Sequence, residues 1–114
     1  MKTHIRRDGA AVIVSLEGKL DYETTDLLKD NLQKLHDEAT IGQVIFDLGE
    51  LQFVGSSGIS AFVQTLRDFN TRAVSRPRYT NVKSEFRRIM SAFDETGSFD
   101  FWDASNRALK SVDN

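Results

Sequence analysis

The chain contains no cysteine, and that absence removes disulfides, thiolate metal sites and thiol nucleophiles together. Its two histidines, His4 and His36, leave few metal-ligand sets to draw on. Only one proline, Pro77, interrupts the chain, and no repeat, linker or low-complexity tract appears. Long apolar runs are missing as well. The first 20 residues mix Lys2, Arg6, Arg7, Asp8, Glu17 and Lys19 among apolar positions, which fits neither a secretory h-region nor a membrane span. A cytoplasmic location is the expectation. No Gly-Lys-Ser/Thr occurs, so there is no P-loop. A nucleophile elbow fails on spacing, because five residues counted from Gly55 end on Ile59, and neither histidine follows the serines. With no nucleophile beside a base and no metal-ligand set, no catalytic residue, metal or cofactor is expected.

What is present is ordinary for a globular domain. The 114 residues are 39% hydrophobic and 28% charged, enough for one domain over 1–114 that buries roughly two-thirds of its unfolded surface. The net charge of −2 hides segregation. Between Glu17 and Leu66 nine acids face Lys19, Lys29 and Lys34; between Arg67 and Arg88 the bases Arg67, Arg72, Arg76, Arg78, Lys83, Arg87 and Arg88 face only Asp68 and Glu85. This basic stretch lacks the interleaved aromatics of a single-strand nucleic-acid surface, so it reads as a solvated face and no nucleic-acid partner is expected.

Periodicity orders the elements. Asp8-Gly9 between two extended runs predicts an opening hairpin with both turn positions at positive φ. In its second strand Val12, Val14 and Leu16 alternate with Ile13, Ser15 and Glu17. Asp21, Thr24 or Thr25 can cap a helix carrying Leu28, Leu32 and Leu35 on one face, with His36 near its C-terminus, where a cation meets the helix dipole favourably. Val44-Ile45-Phe46, closed by Asp47, reads as a central parallel strand covered by helices on both faces. Ile59, Phe62, Val63, Leu66 and Phe69 give a second helix with a buried stripe. An extended stretch from Pro77 to Val82 precedes a third helix capped by Ser84, with Phe86, Ile89, Met90 and Phe93 inward and Gly97 as its stop. Phe99 to Trp102 is a last strand, and Asp103 or Ser105 can cap a fourth helix with Ala108, Leu109 and Val112 inside. The fold class is α/β, a mixed sheet of about five strands with about four helices.

Between the central strand and the second helix stands Gly55-Ser56-Ser57-Gly58. Small residues at a helix N-terminus suit an anion or a phosphate, since the first N–H groups are unpaired and the dipole end is positive. Serine is equally a good helix cap. Asp21 and Asp47 end predicted strands near the serines, positions that turn acids fill routinely.

Gly18-Lys19-Leu20-Asp21 before a helix, Val44 to Leu48 followed by Leu51 and Phe53, the Ser56-Ser57-Gly58-Ile59 turn and the closing Ala108-Leu109 helix together resemble the STAS domain of anti-sigma factor antagonists. The resemblance spans nearly the whole chain. It implies a bacterial regulator of transcription, a binding module that engages an anti-sigma factor of the serine-kinase type, is phosphorylated by it and is restored by a phosphatase. The phosphoacceptor it implies is Ser56, with Ser57 the alternative; Asp21, Gly55, Ser57 and Gly58 would meet the partner. Gly55 departs from the pattern, since the family usually carries Asp there, and its loss removes a polar contact beside the hydroxyl. Two other readings keep the fold: a constitutive STAS subunit or scaffold of a transporter or signalling complex with the serine unmodified, and a sensor of nucleotides or small anions. An edge strand from the opening hairpin would let two copies pair.

Overall fold

The computed structural model describes residues 2–20, 22–37, 42–52, 59–73, 76–92 and 99–102. Strand β1 (Lys2–Asp8) runs antiparallel to β2 (Ala11–Lys19). The helix α1 (Tyr22–Asp37) leads to β3 (Gln43–Gln52), α2 (Ile59–Arg72) to β4 (Arg78–Thr80), and α3 (Ser84–Ala92) to β5 (Asp100–Trp102). The sheet order is β1-β2-β3-β4-β5, with every pair after the first parallel. The α/β class, the mixed five-stranded sheet and the central place of Val44 to Asp47 are as expected. Three helices lie among the described residues; Phe93, Gly97 and the fourth helix fall outside them.

The strand order explains where the helices go. A sheet that grows in one direction through right-handed crossovers keeps all its connecting helices on one face. Leu28, Leu32 and Leu35 of α1, Ile59, Phe62, Val63, Leu66 and Phe69 of α2, and Phe86 and Met90 of α3 accordingly share one core with Val12, Val14, Leu16, Val44, Phe46 and Leu48. The expectation that helices cover both faces of β3 is corrected here. Ile45 is fully buried on the second face, but its cluster with Ala11, Ile13 and Trp102 contains no residue of these helices.

Aromatic rings close the core over β4. Tyr79 stacks on Phe46 with centroids 5.0 Å apart, and Phe69 and Phe99 meet these two rings edge-on. The buried Tyr79 hydroxyl donates to Asn70 Oδ1 at 2.6 Å, which satisfies the one polar group the ring carries inward.

Three local readings shift by a residue or more. Asp8 pairs with Ala11, so the hairpin loop is Gly9-Ala10, and only Gly9 has positive φ (59°), as in a type II′ turn. Helix α1 already includes Tyr22, which puts Thr24 and Thr25 in its first turn, not at the cap. The Arg87 N–H donates to the Lys83 carbonyl at 2.9 Å, making Lys83 the cap and Ser84 the first helical residue.

Candidate functional site

Asp21, Gly55, Ser56, Ser57 and Gly58 lie outside the described residues. The strand and helix ends that carry them are described, and they meet at the carboxyl edge of the parallel strands, where open α/β sheets place their ligands. Up to Ser15, β2 and β3 pair in one register, Ser15 facing Asp47; beyond it the register shifts, Glu17 facing Glu50. Two residues of β3, Leu48 and Gly49, thus oppose one of β2, a β-bulge. The bulge changes which side chains of β3 point inward. Phe46 and Leu48 are buried at a spacing of two, and the next buried residue is Leu51, three further on. Past the bulge the strands stay paired to their ends, and the Leu20 N–H donates to the Gln52 carbonyl at 3.1 Å. Asp21 and Phe53 each follow one member of that bonded pair in the chain, so the two segments singled out by sequence depart from adjacent strand ends.

Asp47 holds the bulge. Its Oδ1 accepts from the Gly49 N–H at 3.0 Å and from Asn81 Nδ2 at 3.1 Å. Asn81 adopts φ 57° to make that reach, a left-handed conformation that asparagine tolerates better than most residues. Gly49 is held small by the same neighbours, since a Cβ there would lie 3.1 Å from Asn81 Cβ and 3.2 Å from Asp47 Oδ1. The carboxylate therefore has a structural task, and its place at a strand end does not make it a metal or acid–base group. Asp47→Ala leaves both donors without their acceptor and is expected to cost about 1–3 kcal/mol. Asp47→Asn keeps a carbonyl oxygen and should cost less, a difference that urea unfolding of the two variants measures.

The basic stretch of the sequence is dispersed. Arg72 donates to Gln33 Oε1 at 2.8 Å, Arg78 lies 4.5 Å over the Trp102 ring, and Arg87 lies 4.9 Å over Phe101. Lys83 reaches furthest toward the candidate site, its Nζ donating to the Leu51 carbonyl at 3.1 Å. Sequence reasoning missed Lys83 and Asn81 because each contacts β3 across more than thirty residues of chain, which no local pattern encodes. Gly49 was within reach, because Asp-x-Gly is a side-chain-to-backbone turn signature.

An open pocket of about 430 Å³ lies on the second face, lined by His4, Arg6, Ile13, Ser15, Glu17 and Asp47. Ser15 and His4 are register partners there, yet His4 pairs through Nε2 with Glu17 at 3.4 Å, both half in solvent, and no hydrogen bond joins it to Ser15. A smaller cavity of about 50 Å³ between α1 and α2 is lined by Leu32, Gln33, Thr65, Phe69 and Arg72 among others. Among the described residues no three His, Asp or Glu side chains cluster to hold a metal, and no helix is long and apolar enough to cross a membrane.

The family model of the STAS domain matches residues 2–108. This chain is a STAS domain. No curated protein matches it in sequence. Among solved structures, the domain is similar to the Bacillus anti-sigma factor antagonist SpoIIAA in its unphosphorylated form, at 16% identity and TM-score 0.71 over 99% of both chains. The phosphorylated form gives 15% identity and TM-score 0.69 over 97% of this chain and 99% of that one. An anti-sigma factor antagonist from Mycobacterium paratuberculosis matches at 18% identity and TM-score 0.74, covering 99% of this chain and 94% of its own. The murine anion transporter Slc26a9 matches at 15% identity and TM-score 0.70, over 91% of the STAS domain and 18% of the transporter. At these identities the likeness is one of fold.

Proposed function

We propose that this STAS domain is an anti-sigma factor antagonist of the cytoplasm, which binds an anti-sigma factor with serine-kinase activity and is released when Ser56 is phosphorylated. The observation that carries the reading is the Ser56-Ser57-Gly58 sequence between the carboxyl end of β3 and the start of α2, in a fold shared with SpoIIAA in both its phosphorylation states. Helix α2 has no acid in its described first turn, so no carboxylate there offsets the positive end of the helix dipole. A phosphate adds about −1.5 to −2 charge, which a helix start accepts without unfolding. The partner surface bears the cost, because a phosphate brought into an interface without a cation is desolvated and unpaired. Ser57 is the alternative acceptor, and Asp21, Gly55 and Gly58 complete the surface. A phosphatase returns the domain to its binding form. The domain acts by contact and has no catalysis of its own.

A constitutive STAS subunit with an unmodified serine is the second reading, favoured by the likeness to Slc26a9 and by Gly55 at the family's acidic position. Mass spectrometry of the protein isolated from its own cells separates the two. A phosphopeptide containing Ser56 is the expected result, and its repeated absence favours the unmodified subunit.

A further inference from the structure

Strand β1 ends the sheet with one side open. Among the described residues it pairs only with β2, and all of its residues except half-buried Thr3 are exposed. The hairpin determines which backbone groups face outward. A two-residue loop makes the flanking pair, Asp8 and Ala11, a hydrogen-bonded one, and bonded and non-bonded pairs alternate from there. Arg6, His4 and Lys2 therefore turn their N–H and C=O groups toward β2, while Arg7, Ile5 and Thr3 turn theirs away from the sheet.

Those three residues are complementary to themselves. When two β1 strands lie antiparallel about a two-fold axis at Ile5, Ile5 meets Ile5 and Thr3 meets Arg7 on either side, so the outward groups form about six hydrogen bonds. No other self-register pairs all three. In the same register Lys2 stands opposite Asp8 at both ends, the arrangement of opposite charges that stabilises a cross-strand pair. His4 stands opposite Arg6, and the Glu17 carboxylate already lies 3.4 Å from His4 on that face. Ile5, 46% exposed, ends the core-side row that runs through Val14, Phe46, Tyr79 and Phe101, and a second Ile5 would continue it.

We propose that the chain self-associates through β1, two copies joining their sheets edge to edge about a two-fold axis at Ile5. Charged edge strands usually deter pairing. Here the charges alternate in sign at matching positions, so the edge accepts its own copy and disfavours strands of a single charge. This assignment is independent of the phosphorylation reading and stands or falls separately.

Sedimentation velocity of the full chain from micromolar to millimolar concentration is expected to show the mass rising from one copy toward two. Amide exchange followed by NMR locates the contact: the Thr3, Ile5 and Arg7 amides should slow as concentration rises, while those of His4 and Arg6, bonded within the hairpin, should be slow throughout. Lys2→Asp and Asp8→Lys should each weaken association about tenfold, and the double exchange should restore it. Ile5→Lys, which sets like charges face to face on the axis, should abolish association, and circular dichroism checks that each variant is folded. A chain that stays monomeric at millimolar concentration overturns the proposal, as does association that leaves the three amides unchanged or is not rescued by the exchange. Protection of those amides that appears only on adding a different protein assigns the edge to that partner and equally overturns it.

Discussion

Leu66→Ala is expected to destabilise the domain by about 2–5 kcal/mol, the range for truncating a fully buried leucine whose surroundings cannot collapse into the space. Leu66 is completely inaccessible and belongs to the core that α2 shares with α1 and the sheet. Its neighbours are held on every side. Phe62 and Val63 lie on the same helix stripe, and the stacked rings of Phe46 and Tyr79 belong to a sheet whose register the β3 bulge and the aromatic contacts constrain. A native domain is stable by only about 5–15 kcal/mol, so this one change removes a large share. The expected melting temperature is lower by about 10 °C or more. Urea unfolding and a thermal melt measure both, and a loss below about 1 kcal/mol would contradict the packing described.

The second large effect concerns binding. Ser56→Ala is expected to leave the domain folded, at a cost of no more than the roughly 0.5–2 kcal/mol of a helix cap, and to bind the anti-sigma partner while taking up no phosphate. Ser56→Asp should also fold, because an acid at a helix start is favourable. It should bind the partner at least about tenfold more weakly than the wild type, a difference of about 1.4 kcal/mol. Calorimetric titration against the candidate kinase reads the affinity, and circular dichroism separates it from folding. Retention of full affinity by Ser56→Asp contradicts the electrostatic switch. Phosphorylation of Ser56→Ala but not of Ser57→Ala moves the acceptor to Ser57.

Much of the site's frame was legible because the signals are local. The turn glycine Gly9, the two-residue alternation of Val12, Val14 and Leu16 and the helical spacing of Ile59, Phe62, Val63 and Leu66 each express a backbone geometry that neighbouring residues set among themselves. The same local reading misplaced ends. Thr24, Thr25 and Ser84 are all good caps, but which residue terminates a helix depends on where packing begins the first turn, and propensity alone is too weak to decide it.

The β3 bulge shows where local reading stops. Nothing in Phe46 to Leu51 announces that Leu51 faces inward at a spacing of three; that follows from Asp47 binding both Gly49 and Asn81, the latter from beyond β4. Lys83 comes to the Leu51 carbonyl for the same reason, since a parallel sheet sets strand ends side by side that lie far apart in the chain. The sequence by itself therefore determined the element types, the buried stripes and the serines of the β3–α2 connection, all encoded within a few turns or strand residues. Only the tertiary structure decided strand order, with its consequence that α1, α2 and α3 share one face, together with the bulge register and the open, self-complementary edge of β1. Those depend on free energies of contacts between distant segments, which compete over the whole chain and leave no periodicity in any one stretch of it.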